Sequence, residues 1–297
     1  MEQTKCFAAI DLNAGCPARK VTETGAGAAL INDPQRIHDI IVAMRKVVQL
    51  PITVKTRLGP VPDKVMVCET LAAVESAGAV AMAVHGRFTS QARRGDVSLP
   101  LIGEVKRRAK IPIIGNGDVH APYTAWQMVA ETGVDAVMLA RAAIGNPWVL
   151  TEIRDMFAAK EKPKLLPSTN VRPSRDLLLI QGALNAHLAL LRAHLQVLQE
   201  KYGFVEDIEA AMVTSFRCHL FRYLHSLNGA SDLRGKLSTL NTLGDIRKAI
   251  SECLASEAAH RATPKRVWVP DGGGTCRGGP TVCSGGDKPH PKKKKKK

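Results

Sequence analysis

The chain has 297 residues, 45% hydrophobic and 4% aromatic, which suffices for one large domain plus a smaller one, or for two, and excludes wholesale disorder. So few aromatics exclude a base-stacking sheet of the RNA-recognition-motif kind. The formal net charge is +15; the segment from Pro264 onward, with ten Lys or Arg against two Asp, supplies +8 and leaves +7 for the rest, a balance that suits a polyanionic partner or, more plainly, a solvated basic surface.

The first apolar run, Phe7-Ala8-Ala9-Ile10, reads as a buried strand, followed at once by the turn Asp11-Leu12-Asn13-Ala14-Gly15-Cys16-Pro17, rich in turn-forming residues. Asn32-Asp33-Pro34 marks a helix start, with Asp33 as cap and Pro34 at the first position, and Ile37, Ile40, Ile41, Met44 and Val48 carry that helix to about 49 at helical spacing. A second strand spans 51–57, a helix 64–77, and a third strand 79–85. A loop from Gly86 to Pro100 leads to a helix at 101–109, a fourth strand and its turn at 111–118, a helix at 122–132 ending at Gly133, and a fifth strand at 135–141.

Short β-branched strands alternating with amphipathic helices predict a parallel sheet. Every polar signature falls just after a strand: Asn13/Cys16, Lys55/Arg57, His85/Arg87, Asn116/Asp118 and Arg141. That regularity predicts an α/β fold of the TIM (β/α)8 type with its site at the C-terminal face, and the absence of GxGxxG after the first strand disfavours a Rossmann sheet. Five βα units are present, so the expected barrel is incomplete at its N-terminal side, as a late start codon or a gene fragment would leave it.

After Trp148 the pattern changes. The barrel part is expected over 1–159, a Pro/Lys-rich linker over 160–173, an all-α helical domain over 174–260, and a disordered Gly/Pro/Lys-rich tail over 261–297. Residues 174–258 read as helical throughout, with one apolar stripe at Leu184, Leu188, Leu191, Leu195 and Leu198 and another at Phe216, Leu220, Tyr223 and Leu224. Arg217, His219, Arg222, His225, Arg234 and Lys236 crowd one region, either a solvated basic face or an RNA-contacting one. The seven cysteines are scattered with no CxxC pair, so neither a zinc site nor a disulfide framework is expected and reduced thiols in a cytoplasmic protein fit best. Without a long apolar run or an N-terminal signal pattern, a soluble protein is expected, and nothing indicates an obligate protein partner.

Six segments in order resemble the tRNA-dihydrouridine synthase family, closest to its bacterial-type branch. They are Asp11–Pro17 followed by Gly25-Ala26-Gly27-Ala28-Ala29-Leu30, Val54–Gly59, Val84-His85-Gly86-Arg87, Ile114–Asp118 and Arg141–Trp148. Tyr202-Gly203 and Arg217-Cys218-His219-Leu220 are similar to the family's helical tRNA-binding domain. The resemblance implies an FMN-binding barrel that uses NADPH to reduce specific uridines of tRNA to dihydrouridine. It further implies Cys16 as the proton donor, Asn13 as the residue orienting the base, and Arg217 and Arg222 as tRNA contacts. Lys55 and His85 would face the flavin, with Arg87 beside flavin and substrate. Asn116, Gly117, Asp118, Ala140 and Arg141 would form the turns for the FMN phosphate, with Ala140 at a position where the family usually has Gly. Without the family's first three strands, part of the flavin wall is expected to be lacking. Two other readings stay open: an inactive tRNA-binding remnant of the family, and an FMN barrel oxidoreductase acting on a free pyrimidine.

Overall fold

The computed structural model describes residues 6–160, 163, 177–203, 206–225, 227 and 230–262. Nearly all of the linker expected at 160–173 and the tail from 263 onward lie outside these residues.

Five parallel strands, β1 (Ile10–Ala14), β2 (Ile52–Arg57), β3 (Ala81–His85), β4 (Ile113–Asn116) and β5 (Ala136–Met138), form one sheet in sequential order. Between them run α1 (Arg19–Thr22), α2 (Pro34–Val47), α3 (Val67–Ser76), α4 (Leu99–Arg108) and α5 (Pro122–Thr132), and α6 (Trp148–Ala159) follows β5. Local chemistry sets the helix ends as read from the sequence. The Asp33 carboxylate accepts from the Arg36 N–H at 3.1 Å with Pro34 at the first helical position, and Gly133 closes α5 in the left-handed region at φ +72°.

Strand alternation decides what each face carries. Ile52, Val54, Met82, Val84 and Ile113 are buried in one core with Ile37 and Ile41 of α2, Leu71 and Val74 of α3, Ile102 and Val105 of α4, and Met128 of α5. Gly115 belongs to the same side, where a Cβ would lie 2.9 Å from the Met128 sulfur, so β4 and α5 approach closely because no side chain separates them. The intervening residues, Asp11, Asn13, Lys55, Arg57, Ala83, His85, Ile114 and Asn116, lie on the opposite face. Strands in sequential order with helices on one side form an arc of a (β/α)8-type barrel, whose inner face carries the polar set; a doubly wound sheet would bury both faces. Among the described residues β1 pairs only with β2, and β5 only with β4.

The position of the first strand corrects the sequence reading. Phe7, Ala8 and Ala9 are exposed and precede the strand, which begins at Ile10 and runs through Asp11-Leu12-Asn13-Ala14. Pairing with β2 starts at Ile10–Ile52, so register with the neighbour, and not local hydrophobicity, sets where β1 begins.

The C-terminal part holds α7 (Leu177–Tyr202), α8 (Glu206–Tyr223), α9 (Ala230–Leu237) and α10 (Leu243–Ala262). The part is all-α, as the sequence predicts, its helices separated by turns such as the one over 238–242. Ile180, Leu184, Leu188 and Leu195 of α7 share a second core with Phe216 and Leu220 of α8 and Ile246 and Ile250 of α10. Trp148, at the start of α6, stands edge-on to Tyr223 of α8 with ring centroids 6.2 Å apart. None of the described helices is long and apolar enough to cross a membrane.

Candidate active site

Register brings the polar residues together. Asn13 lies opposite Lys55, Arg57 opposite His85, and His85 opposite Asn116. With neighbouring strands about 4.8 Å apart, these side chains line one edge of the inner face.

The turn after β1 is held from four sides. The Asn13 side-chain oxygen accepts from the backbone N–H groups of Gly15 and Cys16, both at 3.1 Å. The Gly15 carbonyl accepts from Arg57 Nε at 2.8 Å, and the Cys16 carbonyl accepts from the Ala28 N–H at 3.0 Å. Gly15 packs directly on β2, where a Cβ would meet the Lys55 carbonyl at 3.3 Å. Gly27 has φ +59°, and a Cβ there would fall 2.7 Å from the Cys16 carbonyl oxygen, so only glycine supports the turn from below. Cys16 is half-buried with a free thiol. Asn13 spends its oxygen on its own turn; its Nδ2 donors meet no partner among the described residues.

Lys55 is partly buried and its ammonium makes no hydrogen bond or ion pair among the described residues. Burial, with the Arg57 charge in second place, holds its pKa below the ordinary lysine value, while Asp11 works the other way. His85 is pushed down to about 3, by burial first and then by the charges of Arg57, Lys55 and Arg87. It is a neutral imidazole at physiological pH, and its Nδ1 is buried without a partner among the described residues.

Arg87 and Asp118 hold one another. The Arg87 guanidinium, 3% exposed, donates Nε and Nη2 to the Gly95 carbonyl at 2.9 and 2.6 Å and Nη1 to Asp118 Oδ1 at 3.1 Å, and its Nη2 also meets Asp118 Oδ2. Arg141, which is exposed, donates to Asp118 Oδ1 at 3.3 Å. The Arg87 hydrogen bond holds the Asp118 carboxyl below its usual range, against the effect of burial. Gly117 and Asp118 both have positive φ, +126° and +50°, which turns the chain sharply after β4. Asn116 is buried and donates Nδ2 to the Met138 carbonyl at 2.8 Å, tying β4 to β5.

Ala140 precedes a short 3₁₀ turn, Arg141–Ala143. Beyond it, Gly145 (φ +64°) lies against α8, where a Cβ would come within 2.4 Å of Arg222 Cβ. Arg222 is therefore beside the loop that follows β5, and it is exposed. Arg217 is not. Its Nη2 donates to the Leu240 carbonyl at 2.6 Å and to Asn241 Oδ1 at 3.2 Å, so it braces the turn between α9 and α10. Arg57, which the sequence reading noted after β2 but gave no role, is 5% exposed and spans two loops, donating Nη1 to the Phe88 carbonyl at 3.1 Å as well as Nε to Gly15. A cation at a strand end just two residues after Lys55 was the available signal.

A one-sided parallel α/β arc with a cysteine, a lysine and a neutral histidine on the edge where its strands end is the frame of a barrel-type site. The chain belongs to the Dihydrouridine synthase (Dus) family, whose model matches residues 1–259. It is 33% identical over 233 residues to tRNA-dihydrouridine synthase B of Xanthomonas axonopodis pv. citri, covering 78% of this chain and 64% of that protein. It is 35% identical over 215 residues to tRNA-dihydrouridine synthase B of Klebsiella pneumoniae, covering 72% and 60%. The probable tRNA-dihydrouridine synthase 1 of Synechocystis is 30% identical over 247 residues, covering 83% and 63%. The chain thus spans less than two thirds of the length of these relatives.

Proposed function

We propose that this chain reduces specific uridines of tRNA to 5,6-dihydrouridine with FMN and NADPH, in the cytoplasm, with Cys16 as the proton donor. The observation that carries the reading is the Cys16 turn. It holds a free thiol at the strand edge, anchored by Asn13, Arg57 and Ala28, beside an inner face that carries Lys55 and His85 in adjacent rows, two polar groups without partners among the described residues.

Those two groups test whether a flavin fits. A buried Nδ1 on a neutral His85 and a partly buried Lys55 ammonium, both without partners among the described residues, suit a ligand edge rich in acceptors. When bound, reduced flavin supplies a hydride to uracil C6. Lys55 stabilises negative charge on the ligand edge it faces, and His85 contributes a hydrogen bond without adding charge. Asn13 donates its Nδ2 to a carbonyl of the base. Cys16 delivers its thiol proton to C5, saturating the C5=C6 bond, and takes a proton back from solvent to restore the thiol. Arg141, with the backbone at Gly117 and Ala140, would hold the phosphate; Asp118 keeps Arg87 turned inward as a support of that turn. Arg222, beside Gly145, would meet the RNA backbone next to the site, whereas Arg217 supports the helical fold under that surface.

The experiment is direct. Purified protein should carry yellow flavin, consume NADPH and form dihydrouridine in tRNA that lacks it, and Cys16→Ala should lose turnover by about a hundredfold or more while keeping its flavin. Normal turnover in Cys16→Ala would refute the assignment of the acid. The exposed Arg222 beside the loop after β5 also suits one other reading, a tRNA-binding protein without catalysis, which would purify colourless and bind tRNA with strong salt dependence.

A further inference from the structure

Arg57 lies on the inner face in the same row as His85, between the two loops that flank the site. Two of its three nitrogens are bound to backbone carbonyls. Nε goes to the carbonyl of Gly15, the residue directly before Cys16, and Nη1 goes to the carbonyl of Phe88 in the loop after β3. One planar group thus ties the loop after β1 to the loop after β3 across the end of β2. A guanidinium does this because its donors leave in fixed directions within one plane; an ammonium is a point charge and fixes no such angle.

The position is costly for a cation. Burial and the neighbouring Arg87 charge act against the protonated guanidinium, and the Cys16 side chain is the group that favours it. The Thr56 hydroxyl, adjacent in sequence, sits near the Ala14 carbonyl at 3.4 Å, so other contacts also reach this turn. Among the described residues, of the side chains that reach it from outside, Arg57 makes the shortest bond and the only one to the Gly15 carbonyl. The remaining tethers, from Asn13 and Ala28, fix the shape of the turn; Arg57 fixes the turn relative to the sheet and to the opposite loop.

We infer that Arg57 is a positioning residue for Cys16: by clamping the Gly15 and Phe88 carbonyls it sets where the thiol stands relative to the inner face. This deepens the reading of Cys16 as proton donor and rests on it for its consequence in turnover, but the clamp itself can be measured without any activity.

The test uses the full chain and three readouts. In the unaltered protein, the Arg57 Nε–H should be strongly protected from solvent exchange by NMR with labelled arginine. In Arg57→Gln, amide exchange in the peptide around residues 14–18 should rise by about tenfold or more, while exchange at Met82–Val84 in the neighbouring strand stays within about twofold. In the same variant kcat for dihydrouridine formation should fall by about a hundredfold, with KM for tRNA and bound flavin nearly unchanged. Arg57→Lys, able to hold one carbonyl but not both, should fall between. If the Nε–H exchanges freely, or if Arg57→Gln leaves the 14–18 peptide as protected as before, the clamp is refuted. If Arg57→Gln is too unstable to isolate, the Nε–H measurement and Arg57→Lys decide the matter. A loosened turn in a protein that makes no dihydrouridine would sustain the clamp and overturn the catalytic reading, so the two fail separately.

Discussion

Gly27→Ala is expected to destabilise the protein by about 2–5 kcal/mol, combining a left-handed alanine with overpacking of a tight site. The first part follows from φ +59° at Gly27, where an L side chain costs roughly 1–2 kcal/mol. The second follows from the added methyl, which would lie 2.7 Å from the Cys16 carbonyl oxygen and 2.8 Å from Val21 Cγ1, so the Cys16 turn has to shift; overpacking of this kind costs about 1–3 kcal/mol. Gly25→Ala is the matched control. Gly25 has φ +75°, but its nearest atom is the flexible Arg36 Nη1 at 3.4 Å, so only the backbone cost of about 1–2 kcal/mol applies. Urea unfolding of the two variants, compared at equal m-value, reads the crowding against Cys16 as the difference between them. Midpoints that give the same stability for both within about 0.5 kcal/mol would refute the claim that Gly27 supports the turn sterically.

Asp118→Asn should cost about 1–3 kcal/mol, below the range for a fully buried pair because Asp118 is part-exposed; Arg87 would keep the Gly95 carbonyl but lose its counter-charge, which thermal unfolding would register. Because the folded-state pKa of Asp118 is depressed, the stability it contributes is present above the unfolded carboxylate value and is lost as pH falls through the folded one; acid titration of the variant should lack that component. His85 shifts the same way for a different reason: folded near 3 and about 6.5 unfolded, it lets only the unfolded chain take up a proton between those values. Stability should therefore be full above about pH 6.5 and decline toward pH 3, with His85→Gln flattening the slope. An NMR titration in which His85 protonates near 6.5 in the folded protein would contradict its buried, cation-ringed setting.

The helix boundaries of α2 and α5 were legible in the sequence because they rest on local chemistry, an Asp-Pro start and a glycine stop, that needs no tertiary partner. So was the barrel-type order, since Cys16, Lys55, His85, Asn116 and Arg141 each sit where an apolar run gives way to a turn. The start of β1 was not legible. Phe7-Ala8-Ala9 is as apolar as many strands, yet pairing with β2 begins only at Ile10, and pairing is a property of two segments.

Arginine roles were the least legible. Arg57, Arg87, Arg217 and Arg222 are one residue type in similar polar stretches, but three of them are bound to carbonyls or a carboxylate more than twenty residues away in the chain: Arg57 to Gly15 and Phe88, Arg87 to Asp118, Arg217 to Leu240. Backbone carbonyls carry no residue-specific signature, so no pattern along the chain announces such a partner; only the folded arrangement assigns it. The sequence by itself determined the alternation of strands and helices, the polar residues at the strand ends and the turn around Cys16. The tertiary structure decided which of those polar groups are held by the protein and which, like Lys55 and the His85 ring, are left with donors and acceptors for something else.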